Sequence, residues 1–241
     1  SLSFMCDKAS FAVASIKDDT HSFIAYYDDT MLEAAIKYKT IVDEFDDAIK
    51  AGEFKMYLQP QISAKTRRLT GAEALVRRIK PDGTIISPID FIPVYEKSGL
   101  ISRLDRYIWE QAAAKLGEWK KAGINMSISV NISPKDFYYI DIFNTFAGLI
   151  KKYDIEPSNL KIEITETTIM SDVPNLMGEL EELRKAGFTL EMDDFGSGYS
   201  SLNTLNDINV DVLKVDMGFI KETKNVKKSR IILASVIKMA K

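Results

Sequence analysis

Phe188-Thr189-Leu190-Glu191-Met192-Asp193-Asp194-Phe195-Gly196-Ser197-Gly198-Tyr199-Ser200-Ser201 is the stretch whose reading decides the fold. It opens as a strand, because Phe188, Leu190 and Met192 alternate with Thr189, Glu191 and Asp193. Two adjacent carboxylates stand where that strand ends. Gly196 and Gly198 then free the backbone for a tight loop. Successive side chains of a strand point to opposite faces, so Asp193 and Asp194 converge on one centre only if the chain turns there. Converging carboxylates repel unless neutralised, and a divalent cation is the usual neutraliser. A loop whose acids cap the following helix fits the same spacing, so this stretch alone leaves both readings open.

The neighbouring stretches repeat the strand pattern. Downstream, Val210 to Asp216 reads as a strand with Lys214 and Asp216 on the Val212 face, and a last helix runs from about Ser229. Upstream, Leu160 to Thr167 sets Leu160, Ile162 and Ile164 against Lys161, Glu163 and Thr165, and Ser171 caps a helix that stops at Gly187. Asn125 to Ser133 alternates Met126, Ile128, Val130 and Ile132 with Ser127, Ser129, Asn131 and Ser133, before an aromatic helix opened by Ser133-Pro134. Ser102 caps a helix to about Lys121, with Leu104, Ile108, Leu116 and Trp119 inward. Leu69 to Arg77 is a strand with Gly71, Glu73, Leu75 and Arg77 on one face, and Phe54 to Ile62 is a strand with an edge-type proline, Pro60. Before these lie an amphipathic helix from Met31 to Ala51, a strand from Ser22 to Tyr27 and a helix from Phe4 to Ile16.

Alternating strands and helices predict an α/β fold with a parallel sheet of six strands. No G-x-G-x-x-G or Walker loop is present, which disfavours dinucleotide and P-loop folds and leaves a barrel. Reactive groups of such barrels sit at the carboxyl ends of strands, where Glu73, Asn131, Glu163, Asp193, Asp194 and Lys214 fall. Four carboxylates, an amide and a lysine from five strands suit a two-metal site that activates water against a phosphate ester. Arg77 and Lys214 add positive charge for the phosphate. Structural alternatives exist for each: Glu73 paired to Arg77, Lys214 paired to Asp216, Asn131 as a strand-end hydrogen-bonder, Glu166 as a surface acid.

Composition narrows the chemistry. The 241 residues are 46% hydrophobic and 28% charged, as in ordinary globular proteins, and fit one large barrel or one domain with an appendage. A net charge of -3 gives no global basic field for a nucleic-acid polymer, although Lys221 to Lys241 is locally basic, read as a solvated helix face. A single cysteine, Cys6, excludes an internal disulfide, and a single histidine, His21, excludes a histidine-rich site. A metal here is therefore held by oxygen, which favours Mg²⁺, Mn²⁺ or Ca²⁺ over zinc. No apolar run reaches the ~20 residues of a membrane span, and the start lacks the features of a signal peptide, so the expected location is cytoplasmic, alone or as part of a larger sensor.

Glu73-Ala74-Leu75-Val76-Arg77, Ser129-Val130-Asn131, Glu163-Ile164-Thr165-Glu166, Asp193-Asp194-Phe195-Gly196-Ser197-Gly198-Tyr199-Ser200-Ser201 and Leu213-Lys214-Val215-Asp216 together resemble the EAL domain. The likeness runs in order from about Tyr57 to the end and includes Pro88-Ile89-Asp90-Phe91-Ile92-Pro93 and Gly99-Leu100-Ile101. It implies a TIM-like (β/α)8 barrel with an antiparallel first strand, and metal-dependent hydrolysis of cyclic di-GMP to linear pGpG. By the same resemblance Glu73, Asn131, Glu163 and Asp193 ligate Mg²⁺ or Mn²⁺, and Asp194 serves a second ion. Lys214 positions the nucleophilic water, Glu166 steadies the loop after Asp194, and Gln59, Leu75 and Arg77 contact the dinucleotide. Glu73, Lys214 and Glu166 are thus the expected catalytic set.

Residues 1–29 resemble the tail of a GGDEF-like domain, 30–52 a linker helix, and 53–241 the EAL domain. The family carries two further strands, with Glu-Gly-Val-Glu-like and Gln-Gly motifs, beyond the position of Lys241. Their absence from these residues predicts a C-terminally truncated barrel with impaired hydrolysis. A homodimer through the helix after the Asp-Asp loop is also implied. The competing expectation is a catalytically silent cyclic di-GMP receptor or scaffold.

Overall fold

In the computed structural model, described for residues 2–16, 23–171, 173–196, 208–218 and 226–239, the six strands predicted for the sheet all form. Contacts divide the chain into two compact units: Ser1–Phe54 with Arg78–Ser98, and Lys55–Arg77 with Gly99–Lys241.

The first unit begins with α1 (Leu2–Ser15). The predicted strand at 22–27 is not one: residues 23–28 carry no regular structure, and Phe23, Ile24 and Tyr26 are exposed. A lone β-branched and aromatic run has no pairing partner there, and strand propensity without a partner forms nothing. Asp28 instead caps α2 (Asp29–Asp43) through the Thr30 N–H. The predicted 31–51 helix is two pieces, α2 and α3 (Phe45–Lys50), meeting at Glu44. Strand β1 (Phe54–Ile62) starts here. The last residues of β2 (Leu69–Ile79) return here and pair with an unforeseen two-residue β3 (Ile85–Ile86), and α4 (Pro88–Ser98) follows. Phe45, Phe54, Phe91 and Tyr95 are fully buried against one another, with ring centroids 4.9–6.0 Å apart. Tilted and edge-to-face rings of this kind form a core by themselves.

The second unit holds the sheet. Its order is β1-β2-β4-β5-β6-β7, where β4 is Ser127–Asn131, β5 Leu160–Thr165, β6 Leu190–Phe195 and β7 Val212–Val215. Strands β2, β4, β5, β6 and β7 pair in parallel. β1 is antiparallel to β2: only residues 63–68 connect them, and hydrogen bonds join Ile79 to Glu53 and Ser63 to Arg68 at the two ends. Helix α5 (Ile101–Lys121) covers one face with a stripe of Leu104, Ile108, Trp109, Ala112, Ala113 and Leu116. The fully buried tryptophan is Trp109, whereas the predicted Trp119 is half-buried in the last turn, because Trp109 packs on Phe146 and the end of β4. Ser102 is buried in the first turn and is not the cap. The predicted aromatic helix is α6 (Asp136–Tyr139) and α7 (Ile142–Tyr153), and Phe146 packs on Trp109 at 4.9 Å.

After β5 comes α8 (Glu166–Met170), capped by Thr165, so the strand ends two residues earlier than predicted. Ser171 closes α8, and Asn175 precedes α9 (Leu176–Lys185). The last helix, α10, is Val226–Met239. Along β4, β5 and β6 the aliphatic residues Ile128, Val130, Ile162, Ile164, Leu190 and Met192 are buried on one face. Polar residues hold the other.

Candidate active site

Lys214 is the centre of that polar face. Its Nζ donates to Glu73 Oε2 at 2.9 Å and to Glu163 Oε1, and lies 3.4 Å from Asp193 Oδ1. The three acids come from β2, β5 and β6, which are not sequential neighbours of β7 apart from β6. They meet because each points to the same polar face, Glu163 and Asp193 from the second halves of their strands and Glu73 from the middle of β2. Register fixes this: Asn131 is opposite Glu163, and Thr165 is opposite Asp193. Two of the four structural alternatives, Glu73 paired to Arg77 and Lys214 paired to Asp216, give way to a bond between Glu73 and Lys214, and Arg77 Nη1 donates to the carbonyl of Val76.

Three carboxylates share one ammonium, so the fully ionised cluster carries an excess of negative charge. Glu163 is the fully buried member of the cluster. Burial, then a hydrogen bond shared with Asp193, then the nearby charge of Glu73 push its carboxyl up to about 8, against the pull of Lys214. Burial would lower the Lys214 pKa, but hydrogen bonds to Glu163 and Glu73 override it and raise it. Glu163 Oε2 is buried and has no hydrogen-bond partner among the described residues. Among the described residues no three acidic side chains form a ready cation cage by themselves. The donor set is nevertheless all oxygen and short of positive charge, which suits a hard divalent ion.

Asp194, exposed, stands at an irregularity of β6. Met192 pairs with Leu213 and Phe195 with Val215, so three steps on β6 oppose two on β7. Asp194 takes up the extra residue with φ 54°, in the left-handed region that costs a non-glycine residue about 1 kcal/mol or more. This is the turn that convergence of Asp193 and Asp194 requires. Partial burial, then the charges of Asp193 and Asp216, raise the Asp194 pKa. Gly196 follows with φ 94°, and its N–H donates to Oε2 of buried Glu166 at 3.3 Å. Ser197 to Ser201 and the helix predicted near 200–206 lie outside the described residues.

Asn131 ends β4, half-buried, with its carbonyl accepting from Trp109 Nε1 at 2.9 Å. Gln59 is exposed on β1, and Leu75 and Arg77 are half-buried on β2. Leu75 and Arg77 follow Glu73 at two-residue steps, on the same face toward the strand's carboxyl end. Sequence reading missed the partners of Glu191, which is buried and holds Ser129 and Lys161. The available signal was a charged residue on the inward face of each of two adjacent strands. It also missed Arg78, buried beside Glu44 and Glu53, because a strand ending at Arg77 leaves the next arginine in a turn.

Residues 42–241 match the EAL domain family. Over 96% of its length the chain is 32% identical to the signaling protein YkoW of Bacillus subtilis strain 168, covering 29% of that protein. Over 97% it is 28% identical to the bifunctional diguanylate cyclase/cyclic di-GMP phosphodiesterase MucR of Pseudomonas aeruginosa, covering 34% of it. The chain thus spans about a third of the length of these curated relatives. The solved structure of the PaMucR phosphodiesterase in complex with c-di-GMP superposes with a TM-score of 0.75 at 30% identity, covering 83% of this chain and 81% of that one. The fold is therefore of the TIM-like barrel type, with the sheet open between β7 and β1 among the described residues.

Proposed function

The chain belongs to the EAL domain family, and we propose that it hydrolyses cyclic di-GMP to linear pGpG with Mg²⁺ or Mn²⁺ at the cluster around Lys214. The observation that carries this reading is the charge excess: three carboxylates from three strands on one ammonium, with Glu163 buried among them. Structural ion clusters are balanced, whereas an excess held in place is a site for an incoming cation.

Glu73, Asn131, Glu163 and Asp193 would hold the first ion and Asp194 the second. Bound there, such ions polarise a phosphate and lower the pKa of a water. The remaining work belongs to side chains. Lys214 has three N–H donors and stands among the carboxylates, so it can orient a water and stabilise charge growing on the phosphate oxygens. Glu166 holds the Gly196 N–H and so steadies the loop that leaves Asp194. Gln59, Leu75 and Arg77 are the dinucleotide contacts, with the Arg77 guanidinium suited to a phosphate. The names of the relatives, a phosphodiesterase acting on cyclic di-GMP and a complex with that ligand, support the substrate.

The test is incubation of the full-length protein with cyclic di-GMP, with and without Mn²⁺. Release of pGpG only with the ion is the expected result. Binding without turnover at any ion concentration would replace this reading with that of a receptor.

A further inference from the structure

One step below the acidic cluster, on the same face of the sheet, a second set of polar side chains is joined end to end. Gln61 Nε2 donates to Ser129 Oγ at 3.3 Å, Ser129 Oγ donates to Glu191 Oε2 at 2.7 Å, and Lys161 Nζ donates to Glu191 Oε1 at 2.8 Å. The chain crosses β1, β4, β6 and β5. Every member stands two residues from a residue of the candidate site in its own strand: Gln61 from Gln59, Ser129 from Asn131, Lys161 from Glu163, Glu191 from Asp193. Two residues make one repeat of the pleat, ~6.6 Å, so the set is a floor beneath the site. Register ties the two levels together, since Glu163 is the direct partner of Glu191 across β5 and β6.

Gly71, two residues before Glu73, leaves room for this floor. A Cβ there would stand 2.5 Å from Ser127 Oγ, 2.8 Å from the Ser127 carbonyl oxygen and 3.3 Å from Gln61 Oε1. A side chain at this position would collide with β4 and press on the residue that begins the hydrogen-bond chain.

Stability alone explains the floor badly. The side chain of Glu191 is 2% exposed, and a buried carboxylate is costly even when paired. Apolar residues of the same volume would serve the fold as well or better. They would not supply two things present here: hydrogen bonds that tie Glu191 to β5 and β4, and a charge pair of set orientation beside Glu163. Partners of this kind, one shell out, orient metal-holding carboxylates.

We propose that Glu191, gripped by Ser129 and Lys161, is a positioning residue for the cation site, holding Glu163 and Asp193 in place and setting with Lys161 the potential at the ion. The inference rests on the metal-dependent reading above. Its signature is a sign. Removing the Glu191 charge should weaken divalent binding, and removing the Lys161 charge should strengthen it, because the two act on the ion with opposite charge.

The experiment measures Mn²⁺ binding directly, by the electron paramagnetic resonance signal of free Mn²⁺, in the purified full-length protein, with thermal unfolding alongside. E191Q is expected to weaken Mn²⁺ binding about tenfold. K161M should strengthen it severalfold, and K161M/E191Q should return to the wild-type value. The KM for cyclic di-GMP should stay within about twofold in all three. If K161M alone fails to fold, E191Q and the double variant carry the same comparison. Equal weakening in E191Q and K161M, in step with loss of thermal stability, would make the floor a packing feature and overturn the proposal. Wild-type Mn²⁺ affinity in E191Q would overturn it too. A wild-type protein that does not bind Mn²⁺ overturns the metal-dependent reading first, and this inference with it.

Discussion

Arg78 and Lys214 are both cations enclosed by acids, and the accounts of their charge differ. Arg78 donates to Glu44 at 2.7 Å and Glu53 at 2.9 Å, and Lys80 lies 3.5 Å from Glu44, so two cations meet two acids. The Phe54 ring, 5.7 Å from the guanidinium carbon, completes its surroundings. Among the described residues, Lys214 meets three acids alone. The first cluster is closed and needs nothing further. The second keeps several acids together, and the Glu163 pKa is raised, by burial first and by its acidic neighbours after that. Balance marks structure, and a maintained imbalance marks a place where charge arrives.

The contrast breaks most visibly if substitutions in the two clusters behave alike. Glu163→Gln should lower kcat/KM for cyclic di-GMP about a thousandfold, the scale on which a charge-stabilising group counts in a water-poor site. Its unfolding midpoint should equal or exceed that of the wild type, since one repulsion is gone. A lower midpoint would make Glu163 a structural residue. Arg78→Met should do the reverse, costing about 3–5 kcal/mol in denaturant unfolding by leaving Glu53 and Glu44 unpaired. The folded fraction should keep wild-type turnover; lost turnover in protein that remains folded would link Arg78 to the chemistry.

Ion removal sharpens the difference. Mg²⁺ or Mn²⁺ at about a hundred times its dissociation constant should stabilise the wild type by ~2.7 kcal/mol over protein in EDTA. Arg78→Met should keep that increment in calorimetry, and Glu163→Gln should lose most of it. An increment that survives in Glu163→Gln places the ion elsewhere.

The smallest effect concerns acid. Burial raises the Glu44 pKa, but its hydrogen bond and charge pairing with Arg78 more than offset this and hold it below the ordinary 4.5. A lowered folded-state pKa stabilises the protein above the unfolded value, and that gain disappears as pH falls through the folded one. The gap in stability between wild type and Glu44→Gln should therefore be full above pH 4.5 and close below it. Glu44 is about a third exposed, so the gap should stay under about 1 kcal/mol. A gap that persists into strong acid would show that shape, not charge, is what Glu44 contributes.

Much of this was legible along the chain because strand signals are local. Strand signals picked out every strand of the sheet but the two-residue β3, including β1 at its observed bounds, and they placed Glu73, Glu163 and Lys214 on strands of that sheet. Local signals failed where a distant partner decided the outcome. The 22–27 run has strand residues and, among the described residues, no strand to pair with. Trp119 fits a helical stripe as Trp109 does, yet only Trp109 meets Phe146 and the end of β4.

The sequence by itself determined the alternating strands, the two acids at the end of β6 and the need for a turn between them. It also determined that any metal would be bound through oxygen. Tertiary structure alone decided that Lys214 joins Glu163, Glu73 and Asp193 rather than Asp216. It decided that an extra residue in β6 is absorbed at Asp194, and that Glu191 rests on Ser129 and Lys161. The reason is physical. A two-residue period says which face a side chain takes, but its partner on that face depends on the register between strands. That register follows from backbone hydrogen bonds between adjoining strands, and it brings together side chains as distant in the chain as Glu73 and Lys214, 141 residues apart.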